Sequence, residues 1–192
     1  MMFLKNLFFI APLILVLVAY LFPYWTIWFN APMYGKTWFA ISVYPTGVVT
    51  GPVFEVNIMN HYVGIGKLEP EKMVELKFLP AVWGVVAVLV SLAWLWRGTR
   101  KGLLAWLLAM VILVAIPVYH WVFLDKYLNT RDPDAPVKAG YVPPLIMGSD
   151  KVANIYRVAY LELGYWLPVA ALIITAPRIS RRIDNILGGA TK

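Results

Sequence analysis

Two histidines are the clearest candidates for chemistry in this chain of 192 residues. His61 lies two residues after Met59, and His120 lies in the second half of the chain between aromatic residues. Imidazole and thioether groups are ligands that suit copper. Because the chain contains no cysteine, thiolate metal sites, disulfides, iron–sulfur clusters and cysteine nucleophiles are excluded. The sequence therefore predicts a copper site on His61 with Met59, and His120 is a secondary ligand candidate.

Glu162 is a further candidate ligand, because it lies in an otherwise apolar stretch, where a carboxylate needs a partner. It could contact a metal, a proton path or a quinone; alternatively, it reaches interfacial water or the nearby Arg157. Asn60 and Tyr62 flank His61 and could orient its ring through hydrogen bonds. The competing interpretation is that each histidine is a hydrogen-bonded interface residue and that each methionine only fills space.

Common catalytic motifs are absent from the sequence. The chain has no Gly-x-Ser-x-Gly elbow, no phosphate-binding glycine-rich loop and no His-Glu-x-x-His pair, so we expect a protein that is not an enzyme. The net charge of +7 comes from basic residues that flank apolar segments. This is a pattern of membrane topology rather than of a phosphate-binding groove, and a nucleic-acid partner is not expected.

Four apolar segments dominate the chain, near residues 7–23, 78–96, 103–123 and 158–176. Each is long enough to cross the hydrocarbon core of a bilayer as a helix. The hydrophobic share of 61% exceeds that of a soluble domain, which is about half. The sequence therefore predicts an all-α membrane protein: a single integral domain over residues 1–192, with four transmembrane helices in the lipid bilayer.

Basic residues predict the orientation of these helices, since lysine and arginine near a helix end resist translocation. The turn at residues 97–102 carries three cations and no acid, and the C-terminal tail is also basic. Both are expected in the cytoplasm with the N-terminus, in the cytoplasmic membrane of a bacterium or an archaeon. The segments at residues 24–77 and 124–157 then lie together on the outer face, with both histidines.

These two outer segments are expected to form a small cap. Residues 37–44 and 48–58 are rich in β-branched and aromatic residues, and residues 45–47, Pro-Thr-Gly, supply a turn between them, so we predict a β-hairpin. Residues 71–79 are expected to form a short helix that leads into the second apolar segment. In residues 124–157, repeated prolines favour extended backbone over helix.

Two short motifs resemble a family of small bacterial membrane proteins with four spans. Residues 60–64 read Asn-His-Tyr-Val-Gly and residues 141–146 read Tyr-Val-Pro-Pro-Leu-Ile, where the family carries Asn-His-Tyr-Ile-Gly-Met and Tyr-x-Pro-Pro-Leu-Ile-Gly. The resemblance covers most of the chain, and members are often encoded among the accessory genes of nitrous oxide reductase. This chain departs from the family at Ile65, where the family has Met, and at Asn129, near which many members have a histidine. Two candidate copper ligands of the family are therefore missing here.

The resemblance implies a position at the outer face of a respiratory membrane and a role in copper supply or assembly for a periplasmic copper enzyme. We therefore expect an accessory or small subunit protein of a respiratory metalloenzyme such as nitrous oxide reductase, with that larger complex as its partner. One alternative is a quinone- or haem-linked electron-transfer subunit that uses aromatic residues near His120 and Glu162. Another is a purely structural subunit of a larger membrane complex.

Overall fold

Helices and strands are mixed along the chain. The computed structural model describes residues 2–137 and 139–188, with the side chains of residues 10–137 and 139–176. The elements in chain order are α1 (Met2–Ala19), β1 (Trp25–Asn30), β2 (Phe39–Val43), β3 (Val49–Thr50), α2 (Val53–Val63), α3 (Val74–Leu95), α4 (Arg100–Leu128), β4 (Gly148–Val152), β5 (Ile155–Leu161) and α5 (Leu163–Gly188).

The five strands form one antiparallel sheet in the order β3-β2-β1-β5-β4. The central strand β1 pairs with β2 and with β5, which runs from the end of the second outer segment into the fourth apolar segment, so Phe29 lies opposite both Phe39 and Arg157. Side chains alternate between the two faces of a sheet. One face carries buried apolar residues such as Ile27 and Ile41, and it lies against the helices.

The prediction of an all-α protein with four transmembrane helices is wrong, because both outer segments and the start of the fourth apolar segment form this sheet, and the fold is a mixed α and β fold. The hairpin predicted around residues 45–47 corresponds to β2 and β3, but it is only one edge of the sheet. The second half of that predicted hairpin, residues 53–58, belongs to helix α2 instead.

The apolar run near residues 158–176 shows why four helices were predicted. Its first part belongs to β5, in which Ile155, Arg157 and Ala159 are buried while Tyr156 and Tyr160 are exposed. This period of two is typical of a strand. Helix α5 begins only at residue 163. Hydropathy alone joined a strand and a helix into one apparent span.

Two helices in the described part of the chain, α3 and α4, are long and apolar enough to cross a membrane. Only 33% of the most apolar part of α3 and 28% of that of α4 is buried within the protein. Because most of this apolar surface is left uncovered, these two helices support membrane association. The apolar stretches Ile10–Ala19 of α1 and Leu163–Ala176 of α5 are shorter.

The sheet caps one end of the helices. Helices α3 and α4 pack together as a hairpin, α1 packs against α5 and α3, and the strands follow α1 and precede α5. Backbone hydrogen bonds tie these junctions together: Glu162 N–H donates to the Tyr24 carbonyl over 3.0 Å, and Gly164 N–H donates to the Pro23 carbonyl over 2.9 Å. The ends of β1 and β5 next to α1 and α5 therefore lie at the helix side of the cap.

Candidate ligand-binding cavity

A cavity of about 430 Å³ lies between the inner face of the sheet, α2, and the halves of α3 and α4 nearest to the cap. Its walls are almost entirely apolar. The sheet contributes Ile27, Ile41, Val43 and Ile155, and α2 contributes Val56 and Val63. Helices α3 and α4 contribute Leu76, Leu79, Val82, Ile112, Ile116 and Leu124. Ligand pockets in proteins have volumes of about 300–1,000 Å³ and are lined mainly by such side chains.

The mouth of the cavity is marked by the lining residues that are also exposed. Within the described part of the chain these are Phe78 on α3 and Ala115 and Tyr119 on α4. Phe78 is 63% exposed and Tyr119 is 58% exposed. All three belong to the two helices that are long enough to cross a membrane. The lining of the cavity therefore reaches the protein surface at the apolar side of helices α3 and α4.

A polar group lies at the end of the cavity nearest to the helices. His120 of α4 is buried, its Nδ1 lies 3.2 Å from the Tyr24 hydroxyl oxygen, and its ring packs edge-on against Trp25 with centroids 4.4 Å apart. Burial raises the pKa of Tyr24, so its phenol stays protonated.

The proton positions on Tyr24 and His120 follow because the buried Tyr24 hydroxyl needs a hydrogen-bond acceptor. The Tyr24 hydroxyl has no other hydrogen-bond acceptor among the described residues, so it must donate to His120 Nδ1. A neutral imidazole that accepts at Nδ1 carries its own proton on Nε2. No described residue bonds to Nε2, and His120 lines the cavity. We therefore assign Nε2–H as a hydrogen-bond donor that is open to a ligand.

A second polar group, Arg157 of β5, lies at the other end of the cavity. Its side chain is only 3% exposed. Nε donates to Asp150 Oδ1 over 2.8 Å, and Nη2 donates to Asp150 Oδ2 and, over 2.9 Å, to the Pro143 carbonyl. The third nitrogen, Nη1, has no hydrogen-bond partner among the described residues. A buried donor without a partner is unusual and costly.

Asn60 and Tyr127 form a third polar contact in the cavity wall. Asn60 Nδ2 donates to the Tyr127 hydroxyl over 3.0 Å, and that hydroxyl donates to the Gly66 carbonyl over 3.1 Å. Asn60 therefore joins α2 to α4 and does not contact the His61 ring. That Asn60 orients His61 stays a prediction.

His61 lies outside the cavity, on the exposed side of α2. Its Nδ1 lies 2.7 Å from Asp132 Oδ2 in the second outer segment. The pKa of Asp132 is lowered, mainly by this hydrogen bond and then by the backbone N–H of Asp134. Tyr62 is also exposed, at 37%. The contact fastens the loop after α4 to α2.

The predicted copper ligands are therefore divided. Met59 and His120 both line the cavity, whereas His61 faces outward and Glu162 lies at the junction of β5 and α5, outside the lining. In the part of the chain that was described, no three His, Asp or Glu side chains are grouped so that they could hold a metal ion. The copper site stays a prediction.

Sequence reasoning did not single out Arg157 as a site residue. A signal was present, because Arg157 occupies an inward position in the alternating strand 155–161, where a charge needs a buried partner. Tyr24 had no comparable signal, since its contact with His120 joins residues 96 positions apart in the sequence.

Comparisons with protein families, with curated proteins and with solved structures find no match to this chain. The resemblance to the four-span family stays a prediction.

Proposed function

We propose that this chain is a membrane-associated binding protein whose cavity holds the head and the adjoining tail of a lipophilic molecule of the isoprenoid quinone class. The observation that carries the proposal is the apolar cavity of about 430 Å³ with its exposed rim on α3 and α4. A ligand dissolved in the lipid phase reaches such a mouth without passing through water.

The polar groups of the cavity suit a quinone head. A quinone is a flat ring with carbonyl oxygens, which accept hydrogen bonds and cannot donate them. His120 Nε2 is a donor without a partner in the described residues, and Trp25 offers an aromatic surface beside His120. A small number of polar groups in an otherwise apolar chamber is typical of small-molecule sites.

The location that we propose follows from the charges at the other end of the hairpin. The turn between α3 and α4 carries Arg97, Arg100 and Lys101. The positive-inside rule places this turn, and with it both termini, in the cytoplasm of a bacterium or an archaeon. The cap then faces the outside, where it could serve as an accessory or small subunit of a respiratory complex.

Quinone binding is tested on the full chain in nanodiscs. Titration with decylubiquinone should quench tryptophan fluorescence to saturation, because Trp25 lines the cavity. Organic extraction of protein purified from native membranes, followed by mass spectrometry, should release a quinone. An optical spectrum with a Soret band and no released quinone would instead favour the haem alternative.

A bulky residue at the mouth should block entry. Ala115→Trp adds a large side chain at an exposed lining position and is expected to weaken decylubiquinone binding at least tenfold. The matched control is Val114→Trp, which adds the same side chain to the neighbouring residue, 59% exposed and outside the lining. Equal binding by the two variants would contradict a mouth between α3 and α4.

A copper-handling role is the second candidate, because Met59 and His120 line one chamber. Cu(I) prefers thioether and imidazole ligands. If copper binds there, Met59→Leu, a substitution of similar volume, should lower the Cu(I) affinity in a competition assay, whereas His61→Ala and the exposed-site control Met147→Leu should not. Loss of affinity with His61→Ala alone would point back to the surface site; no binding at all would remove the copper role.

A further inference from the structure

Helix α2 presents apolar side chains on two opposite faces. Its inward face carries Val56, Met59 and Val63, which line the cavity. Its outward face carries three large side chains spaced four residues apart, which we call the outer stripe: Phe54, Ile58 and Tyr62. Residues four apart on a helix are neighbours on its surface. All three are exposed, Phe54 to 73%, and an exposed apolar stripe of this kind is typical of an interaction surface.

The contact between α2 and α4 shows how far α2 lies from the bilayer core. Asn60 Nδ2 donates to the Tyr127 hydroxyl over 3.0 Å. The apolar part of α4, residues 103–123, is about 30 Å long, which matches the thickness of the hydrocarbon core. Tyr127 lies four residues further along the helix, about 6 Å beyond this part. Because the head groups form a layer of about 5–7 Å on each side of the core, the contact lies at their depth.

The other end of α2 lies at a similar height. Gly51, just before α2, packs against β2, since a Cβ atom added there would meet the Ala40 carbonyl. In the register of the sheet, Ala40 lies opposite the third residue after Trp25, which packs on His120. Three residues of strand span about 10 Å. Helix α4 advances by about 10 Å between His120 and Tyr127 as well. Helix α2 therefore lies across the cap, with both ends at the depth of the head groups.

Helix α2 also lies on the side of α4 that carries the mouth of the cavity. Four lining residues form one row along α4, spaced four apart: Ala115, Tyr119, Phe123 and Tyr127. The first two are exposed at the mouth, and the rings of the last two stack with centroids 6.4 Å apart. Because α2 is bonded to the last residue of this row, it lies just outward of the mouth. It therefore adjoins the surface of α3 and α4 that supports membrane association.

We propose that α2 lies in the head-group layer of the bilayer, with the outer stripe inserted at the boundary between head groups and acyl chains. Interfacial helices bury their apolar face about 5–10 Å into this boundary. Tyr62 suits this depth, because tyrosine is enriched where a membrane meets water. The partner of the outer stripe is the lipid bilayer. The inference rests on the membrane association in the proposed function and goes beyond it, because it assigns a partner to a surface outside the cavity.

Single cysteines report the depth of the outer stripe, because the chain has no cysteine of its own. Phe54→Cys and Ile58→Cys, each labelled with the fluorophore NBD, are placed in phosphatidylcholine nanodiscs that contain a spin-labelled lipid. The spin label lies either at the head group or near the end of an acyl chain. We expect the head-group spin label to quench the fluorescence at both positions at least threefold more strongly than the acyl-chain spin label.

Two exposed apolar residues provide matched controls. Met33 is 55% exposed and follows the end of β1 that is farther from the helices, so a fluorophore at Met33→Cys should be quenched by neither lipid. Val114 is 59% exposed and lies near the middle of the apolar part of α4, so a fluorophore at Val114→Cys should be quenched mainly by the acyl-chain spin label. Far-ultraviolet circular dichroism checks that each labelled variant is folded.

The outcomes separate the inference from the proposed function. If neither lipid quenches the fluorophore at Val114, the membrane association fails and the inference fails with it. If the acyl-chain spin label quenches at Val114 while the fluorophores at residues 54 and 58 respond like that at Met33, the membrane association stands and the inference is overturned. If neither lipid quenches at residues 54 and 58 and aqueous iodide cannot reach them, a second copy or another protein covers the outer stripe, which also overturns the inference.

Discussion

Replacing Asp150 by alanine is expected to destabilise the cap by about 3 kcal/mol, at the lower end of the range for breaking a buried ion pair, because the Asp150 side chain retains 24% exposure. The cost arises from Arg157, which remains buried and loses its counter-ion. Only the Pro143 carbonyl would then accept from it. The expected result is a clearly lower midpoint of thermal unfolding, measured by near-ultraviolet circular dichroism in detergent.

Two further variants test whether the unpaired buried charge causes the loss of stability. Asp134→Ala makes the same change at an exposed loop position and should leave the unfolding midpoint unchanged. The double variant Asp150→Ala with Arg157→Met removes both charges and should recover much of the lost stability, since a buried pair can be replaced by apolar groups at little cost. A double variant as unstable as Asp150→Ala alone would show that the buried charge is not the cause.

The two long helices could be predicted from the sequence. The apolar segments near residues 78–96 and 103–123 correspond to α3 and α4, although both helices extend further towards the cap. Continuous hydropathy over such a length is a strong local signal. The start of α3 at residues 74–77 lies within the short helix that was predicted for residues 71–79, whereas the end of α4 was missed because residues 124–128 are polar or mixed.

The sheet could not be predicted in the same way. Strand β5 pairs with β1 across more than 120 residues, and no local pattern specifies that partner. The alternation in residues 155–161 was present, but its apolar content extended directly into α5 and resembled a span. Long-range pairing of this kind depends on the whole fold, so sequence patterns alone identify the strand at best and not its position in the sheet.

The rotation of helix α2 about its axis decides which of its residues line the candidate site. Residues 53–58 were predicted to be part of a strand, yet residues 53–63 form a helix in which Met59 and Asn60 face inward while His61 and Tyr62 face outward. Successive residues on a helix point about 100° apart, so neighbours in the sequence reach different faces. In the sequence motif around His61, Met59 and Asn60 therefore line the cavity, whereas His61 makes a surface contact with Asp132.

The turn between β2 and β3 is the second place where a single substitution should have a large effect. Gly47 has φ = +79°, and a Cβ atom at this residue would lie 2.2 Å from the Leu76 carbonyl oxygen on α3. Alanine there adds backbone strain of about 1–3 kcal/mol. It also forces the turn away from α3, so we expect Gly47→Ala to destabilise the protein by more than strain alone, measured by thermal unfolding.

Alanine substitutions at two other glycines separate the cost of backbone strain from the cost of the contact with α3. Gly35 has φ = +60° but no atom within 4 Å of an added Cβ, so Gly35→Ala should show the cost of strain alone. Gly140 has neither a positive φ nor a close neighbour, and Gly140→Ala should be close to neutral. Because Val49 and Leu76 both line the cavity, a displaced turn should also weaken decylubiquinone binding for Gly47→Ala and not for Gly35→Ala. Equal effects of Gly35→Ala and Gly47→Ala on both stability and binding would mean that contact with α3 does not hold this wall of the cavity in place.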